Sequence, residues 1–123
     1  MEEIYNERKI GEIINSLPVI QQAMLLIFYK TFVNSPEKNE IELNKSLCLF
    51  NNLAMDFGIP RYNVISFIQG LKLLESYDLI EIKQGSKLKN SNTGENAIIK
   101  LQINVDEIKN ILVSNETFQK YFE

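Results

Sequence analysis

The stretch Ile41–Ile103, IELNKSLCLFNNLAMDFGIPRYNVISFIQGLKLLESYDLIEIKQGSKLKNSNTGENAIIKLQI, decides the fold of this chain. Its apolar residues first alternate with polar ones over a few positions. They then recur at helical spacing in two successive segments, and they alternate with polar residues again on both sides of a polar segment. These periods predict an extended piece, a helix, a tight turn, a second helix, a strand, a long polar loop and a strand, in that order. That order is typical of a helix-turn-helix followed by a β-hairpin.

Glycine and proline mark the turn between the two helices. Gly58 suits the left-handed position that closes a helix, and Pro60 follows two residues later. Asn44 is expected to cap the first helix. The second helix is predicted over Tyr62–Ser76. The inward-facing residues expected are Leu47, Phe50, Leu53, Ala54 and Phe57 in the first helix, and Val64, Phe67, Ile68, Leu71 and Leu74 in the second.

The hairpin is predicted from two alternating segments, Leu79–Lys83 and Ala97–Ile103. Tyr77 and Asp78 form the turn that leads into it. The segment between the strands, 84–96, is rich in Gly, Ser, Asn and Lys, so it is too polar to bury. We therefore predict that it is an exposed wing.

The remaining segments predict further elements around this unit. A helix is expected over Glu7–Ser16, and Pro18 opens a second helix, which should be the most buried element. A short edge strand is expected around Ile41, and Asn104 with Glu107 forms a capping-box pair for a last helix. The predicted fold class is α+β and mostly helical: a single domain over 1–123, a winged helix-turn-helix with an extra N-terminal helix and a C-terminal helix.

Composition narrows the function classes. The chain has 123 residues, 45% of them apolar, which allows one packed core. It has no histidine and one cysteine, Cys48, and it lacks the glycine-rich patterns that bind phosphates. We therefore expect no catalytic residue, no metal site and no cofactor. Neither a membrane span nor a signal peptide is expected. Cys48 is predicted to pack at a helix–helix contact.

Charge is distributed unevenly along the chain. The formal net charge is −3, but positions 61–100 hold six basic and four acidic residues. The positive excess therefore lies on the second helix of the predicted helix-turn-helix and on the hairpin. That distribution favours binding of a nucleic acid by this region rather than by the whole surface.

Two sets of polar residues are candidates for contact with duplex DNA, because their donors match phosphate oxygens and base edges. The alternatives are an ordinary solvated helix face and a solubilising loop. Gly70, inside the second helix, is expected to allow tight helix packing. The candidates on or beside the helix are Arg61, Asn63, Ser66, Gln69 and Lys72, and those on the hairpin are Lys83, Lys87, Lys89 and Lys100.

Four segments carry a resemblance to a known family: LPVIQQAMLL at 17–26, IELNKSLCLFNNLA at 41–54, LLESYDLI at 73–80, and VDEI at 105–108 with Leu112. In this order and spacing they resemble the C-terminal winged-helix domain of the replication-initiator AAA+ family. That family includes the largest origin-recognition-complex subunit, its licensing-factor relative and archaeal homologues. Asp78 stands where glycine is usual in the family, so the geometry of that turn needs examination.

The resemblance implies a role in replication. It implies a domain excised from a larger protein whose ATPase module lies upstream, acting in the nucleus of a eukaryote. Its implied partners are origin DNA, other initiator subunits and the MCM helicase, with the wing lysines beside the phosphate backbone. The alternative is a winged helix that binds only protein, through Ile65, Leu73 and the C-terminal aromatic residues.

Overall fold

The computed structural model describes residues 2–35, 37–83 and 97–122, with side chains from Lys9 onward. The predicted wing, 84–96, lies outside the described residues. None of the helices in the described part combines the length and apolar character that a bilayer crossing needs. The elements in chain order are α1 (Glu2–Ser16), α2 (Val19–Phe32), β1 (Glu40–Glu42), α3 (Leu43–Phe57), α4 (Val64–Ser76), β2 (Ile80–Lys83), β3 (Ile98–Leu101), α5 (Val105–Leu112) and a C-terminal 3₁₀ turn (Gln119–Phe122).

Helix α2 forms the centre of the core, and the prediction that it is the most buried element is confirmed. Eight of its residues are buried, including Met24 and Phe28. It packs against α3, α4 and α5, while α1 packs against α5. The chain before α2 bends at Pro18, whose extended backbone precedes the helix. A helix that is apolar on most sides is stable only when neighbours surround it, and three helices do so here.

Helix α3 begins at Leu43, one residue before Asn44, which was expected to cap it. Asn44 lies inside the helix, and the N-cap residue is Glu42, which makes no side-chain capping bond. The reason is that β1 runs directly into α3. The backbone N–H of Leu43 donates to the carbonyl of Ala97 at 2.9 Å, so the chain beside β3 satisfies one of the N–H donors that lack a partner inside the helix.

Two turn residues adopt the left-handed backbone. Gly58 closes α3 with φ 69°, as predicted. Asp78 has φ 63°, so it takes the conformation that glycine usually supplies, and an aspartate tolerates this better than most residues. The turn into β2 therefore has the left-handed geometry that favours glycine, with aspartate in its place.

The three strands form one antiparallel sheet in the order β1–β3–β2. Ile99 of β3 lies opposite Ile41 on one side and Ile82 on the other, so these isoleucines share the face towards the core. The edge position of β1 is confirmed. Strand β3 is shorter than the predicted Ala97–Ile103, because Asn104 already caps α5 three residues after Leu101.

The C-terminal part closes the core as the sequence predicts. Asn104 and Glu107 form the expected capping box at the start of α5. After α5 the chain turns back, and Phe118 is fully buried against Phe57, with the two rings 5.4 Å apart at 63°. The 3₁₀ turn follows directly after Phe118. Helix α1 starts at Glu2, five residues earlier than the predicted Glu7.

Candidate nucleic-acid interface

The outer face of α4 is exposed and free of acidic residues. Phe67, Leu71 and Leu74 turn inward, as predicted. On the opposite side, Ile65, Gln69 and Lys72 are exposed and follow each other at helical spacing, and Arg61 is exposed just before the helix. No Asp or Glu occurs between Arg61 and Leu74, in a chain that contains 16 of them. This face therefore presents two cations and an amide. The next acidic residue of the helix, Glu75, accepts the N–H of Ile82 in β2 at 2.9 Å.

Asn63 and Ser66, both predicted to contact DNA, form the N-cap of α4. The N–H of Ser66 donates to Asn63 Oδ1 at 2.8 Å, and the N–H of Asn63 donates to Ser66 Oγ at 3.2 Å. This reciprocal pair is a capping box and explains why the helix begins at Val64 rather than Tyr62. Both side chains thus have a structural role, which the sequence analysis did not assign to them.

Gly70 brings α4 close to α2. A Cβ atom at Gly70 would lie 2.6 Å from Met24 Cε, well inside van der Waals contact. On the same side, Gln21 Nε2 donates to the Gly70 carbonyl at 3.4 Å. The interpretation of Gly70 as a site of tight helix packing is confirmed, and this contact sets how far α4 stands from the core.

Asn51 is a positioning residue that the sequence analysis missed. It is 7% exposed, and its side-chain amide bonds to the backbone of Tyr62 just before α4. The ring of Tyr62 in turn packs edge-on against Phe50 at 5.3 Å. Asn51 lies beside Phe50 and three residues before Ala54 on the buried side of α3, so a polar residue at this place was the available sequence signal. Its partner could not be predicted, because it is a backbone group brought there by the turn.

The outer face of the sheet carries mixed charge. Lys83 Nζ bonds to Glu40 Oε2 at 2.9 Å, and this bond with the Glu40 charge raises the pKa of Lys83 above 10.5. Lys100 lies in register between Glu40 and Glu81. The two lysines predicted to bind DNA at the hairpin thus lie among glutamates, and Lys83 would have to exchange its partner to bind a phosphate.

The other sequence predictions have different outcomes. Lys87 and Lys89 lie outside the described residues. Cys48 is exposed, so its predicted place at a helix–helix contact is wrong. It stands on the side of α3 away from Phe50 and Ala54, which face the core. Among the described residues no group of His, Cys, Asp and Glu could hold a metal ion.

The arrangement defines a class of fold. Helix α3, the turn closed by Gly58 and helix α4 form a helix-turn-helix, and β2 and β3 follow as an antiparallel pair. The protein has a mostly helical α+β fold of the winged-helix type, with α1 before it and α5 after it. In such folds the second helix of the helix-turn-helix is the element that meets a duplex.

Comparison with solved structures shows that this fold is similar to part of a known one. A chain in the structure of Drosophila ORC bound to DNA matches 83% of this chain with a TM-score of 0.66 and 15% identity. The match covers 24% of that chain, so the present chain spans about a quarter of its length. No protein-family model matches the sequence, and no curated protein matches it. At this identity the likeness establishes an ORC-like fold.

Proposed function

We propose that this chain is a DNA-binding winged-helix domain of a eukaryotic replication initiator that contributes to origin binding and MCM helicase loading in the nucleus. The observation that carries the proposal is the exposed, acid-free face of α4 with Arg61, Gln69 and Lys72. The ORC-like fold supports it, because the matched structure is of a complex bound to DNA. Other initiator subunits and the MCM helicase are the proposed protein partners.

The side chains of this face suit different parts of a duplex. Arg61 and Lys72 supply the cations that neutralise phosphates and so provide affinity. Gln69 lies between them along the helix and can pair with the edge of an adenine in the major groove. Phosphate contacts fix the register of a helix on DNA, while base contacts select sequence. One amide and two cations predict weak affinity with modest sequence preference.

The hairpin lysines divide into two groups. Lys83 and Lys100 have glutamates beside them, so their contribution to phosphate binding is expected to be small. Lys87 and Lys89 are assigned to DNA by their place in the predicted wing and by the family resemblance. Because so few cations contribute, tight binding is proposed to need a further DNA-binding module, such as the ATPase module that the family resemblance implies, through linked sites.

Fluorescence anisotropy with a labelled duplex at two salt concentrations tests this function. We expect weak binding that decreases with salt, and the charge reversals Arg61→Glu and Lys72→Glu should each lower the salt slope by about one unit. Lys109→Glu, on the exposed side of α5, is the matched control and should change binding little. Absence of binding at low salt would contradict the proposal, and an isotherm indifferent to salt would do so equally.

A second candidate is a winged helix that binds only protein. Ile65 favours it, because this large apolar side chain is 65% exposed near the start of α4. The other residues expected to support it do not: Leu73 packs against the core and Phe118 is fully buried. The candidate therefore depends on Ile65, and variants of this residue distinguish the two functions.

A further inference from the structure

A groove between α2 and α3 shares no residue with the α4 face. It has a volume of about 530 Å³, and Tyr121 from the C-terminal 3₁₀ turn contributes to its lining. Ile27 and Leu53 form its floor and are almost fully buried, while Leu49 is 38% exposed on its wall. The surface inside the groove is mainly apolar, with polar groups along the rim. The lining residues are Ile27, Lys30, Thr31, Lys45, Leu49, Asn52, Leu53, Asp56 and Tyr121.

The rim of this groove is basic although the protein is acidic. Lys30 and Lys45 line it, and both Lys30 and Lys120 lie over the ring of Tyr121, each 5.2 Å from its centroid. Asp56 is the acidic residue of the lining, and its Oδ2 accepts the hydroxyl hydrogen of Tyr121 at 3.0 Å. Two lysines and one hydrogen-bonded carboxylate therefore line the groove, and a third lysine lies beside it over Tyr121, in a chain of net charge −3.

The dimensions suit a short helix. From Lys45 to Asp56 the wall of the groove follows about three turns of α3, or about 16 Å. A partner helix of about 11 residues has this length, and the apolar stripe of such a helix can lie on a groove of this kind. The positive rim selects for carboxylates beside that stripe, because unlike charges attract across a partly exposed interface.

We propose that this groove is a docking site for a short acidic amphipathic helix of a partner protein. The apolar side chains of that helix would lie over Leu49 and Leu53, and its carboxylates would pair with Lys30, Lys45 and Lys120. The site is separate from the α4 face. It therefore gives the domain a protein contact that leaves the proposed DNA contact open, and its test does not depend on DNA binding.

The test uses a labelled peptide of about 12 residues, with leucines at helical spacing and glutamates at most other positions. We expect saturable binding to the full chain by fluorescence anisotropy. In NMR spectra the amide signals of Ile27, Leu49 and Asn52 should shift, and those of α4 should not. A peptide with lysine in place of each glutamate, and one with the leucines scrambled, should bind much more weakly.

Charge reversal on the protein completes the test. Lys30→Glu and Lys45→Glu should each weaken peptide binding about three- to tenfold, since each replaces an exposed ion pair by a repulsion. Lys109→Glu is again the matched control, and circular dichroism verifies that each variant folds. Three results would overturn the proposal: no binding of the acidic peptide, equal binding of the lysine peptide, or signal shifts outside the groove. Shifts of the groove amides by duplex DNA alone would assign the surface to nucleic acid instead.

Discussion

Asn51 holds Tyr62 by two hydrogen bonds to the backbone. The side-chain Nδ2 donates to the Tyr62 carbonyl at 3.0 Å, and the Tyr62 N–H donates to Oδ1 at 2.8 Å. The side-chain amide of Asn51 presents an N–H donor and a C=O acceptor side by side. It can therefore pair with the N–H and C=O of one backbone residue, as a neighbouring β-strand would. This pair attaches the end of the turn to α3 and thereby sets the direction in which α4 leaves it.

Replacing Asn51 by alanine is expected to destabilise the protein by about 1–3 kcal/mol. The substitution leaves the N–H and the carbonyl of Tyr62 without their partner in a part-buried position. Urea denaturation followed by circular dichroism measures this change. Asn52→Ala, at the exposed neighbouring position, should change stability by less than about 0.5 kcal/mol. Equal effects of the two variants would show that the bonds to Tyr62 contribute nothing.

Two variants of Asn63 distinguish its contribution to helix capping from its contribution to DNA binding. Asn63→Ala removes the acceptor for the Ser66 N–H and should cost about 1 kcal/mol. Asn63→Asp keeps that acceptor and should retain stability, but it places a negative charge beside Arg61 and should weaken DNA binding. Thermal unfolding and anisotropy titrations measure the two effects. If the aspartate variant binds DNA like the wild type, the start of α4 does not face the phosphates.

Gly70 and Met24 should be energetically coupled. Alanine at position 70 gains about 1 kcal/mol of helix propensity, but its Cβ would displace the fully buried Met24 side chain, at a cost of about 1–3 kcal/mol. We expect Gly70→Ala to be neutral to destabilising alone and stabilising in a Met24→Leu background, where the clashing methyl group is absent. A double-mutant cycle in urea measures the coupling. Simple additivity would show that α2 and α4 are not in close contact at this point.

Ile65 distinguishes the two candidate functions. Ile65→Lys adds a third cation to the α4 face, so DNA binding should strengthen roughly threefold at low salt, with a steeper salt dependence. Asn110→Lys adds the same charge on the exposed side of α5 and controls for net charge. Anisotropy titrations compare the two. If both lysines have the same effect, or neither has one, α4 does not approach the duplex and the protein-binding function gains support.

Tyr121 should make stability sensitive to alkaline pH. Burial, and then the hydrogen bond to Asp56, raise the pKa of Tyr121 above 10.0. A raised pKa in the folded state means that the contribution of this group is complete below pH 10 and decreases as the pH rises through the folded value. Tyr121→Phe should therefore lose less stability than the wild type between pH 9 and 11, approximately the range in which tyrosine ionises.

Thermal unfolding at several pH values measures this difference. Tyr77→Phe, at an exposed tyrosine, controls for the loss of a phenol group. Parallel pH profiles of the wild type and Tyr121→Phe would contradict the assignment. Lys83 titrates in the same alkaline range through its bond to Glu40, but it is present in every variant and therefore cancels in the comparison.

The local sequence determined much of the secondary structure, because each signal there has a local physical cause. Gly58 closes α3 since it adopts positive φ at low cost, and Asn104 with Glu107 starts α5 since both capping bonds span three residues. The stripe of Phe67, Leu71 and Leu74 predicted the inward side of α4. The start of α3 was missed, because the carbonyl that receives the Leu43 N–H belongs to Ala97, far along the chain.

In the candidate site, too, some features follow from the local sequence and others from contacts between distant residues. The sequence alone determined the fold class and the residue types on the α4 face, since spacing places a residue on a helix face before any tertiary contact forms. The cap formed by Asn63 and Ser66 spans only three residues, so it is a local feature that the sequence analysis missed. Only the tertiary structure decided what the other residues are free to do. It paired Lys83 with Glu40, buried Phe118, exposed Cys48, and brought Lys30 and Lys45 to one groove. The physical reason is that these outcomes depend on residues distant in sequence, or on which side of a helix its neighbours cover.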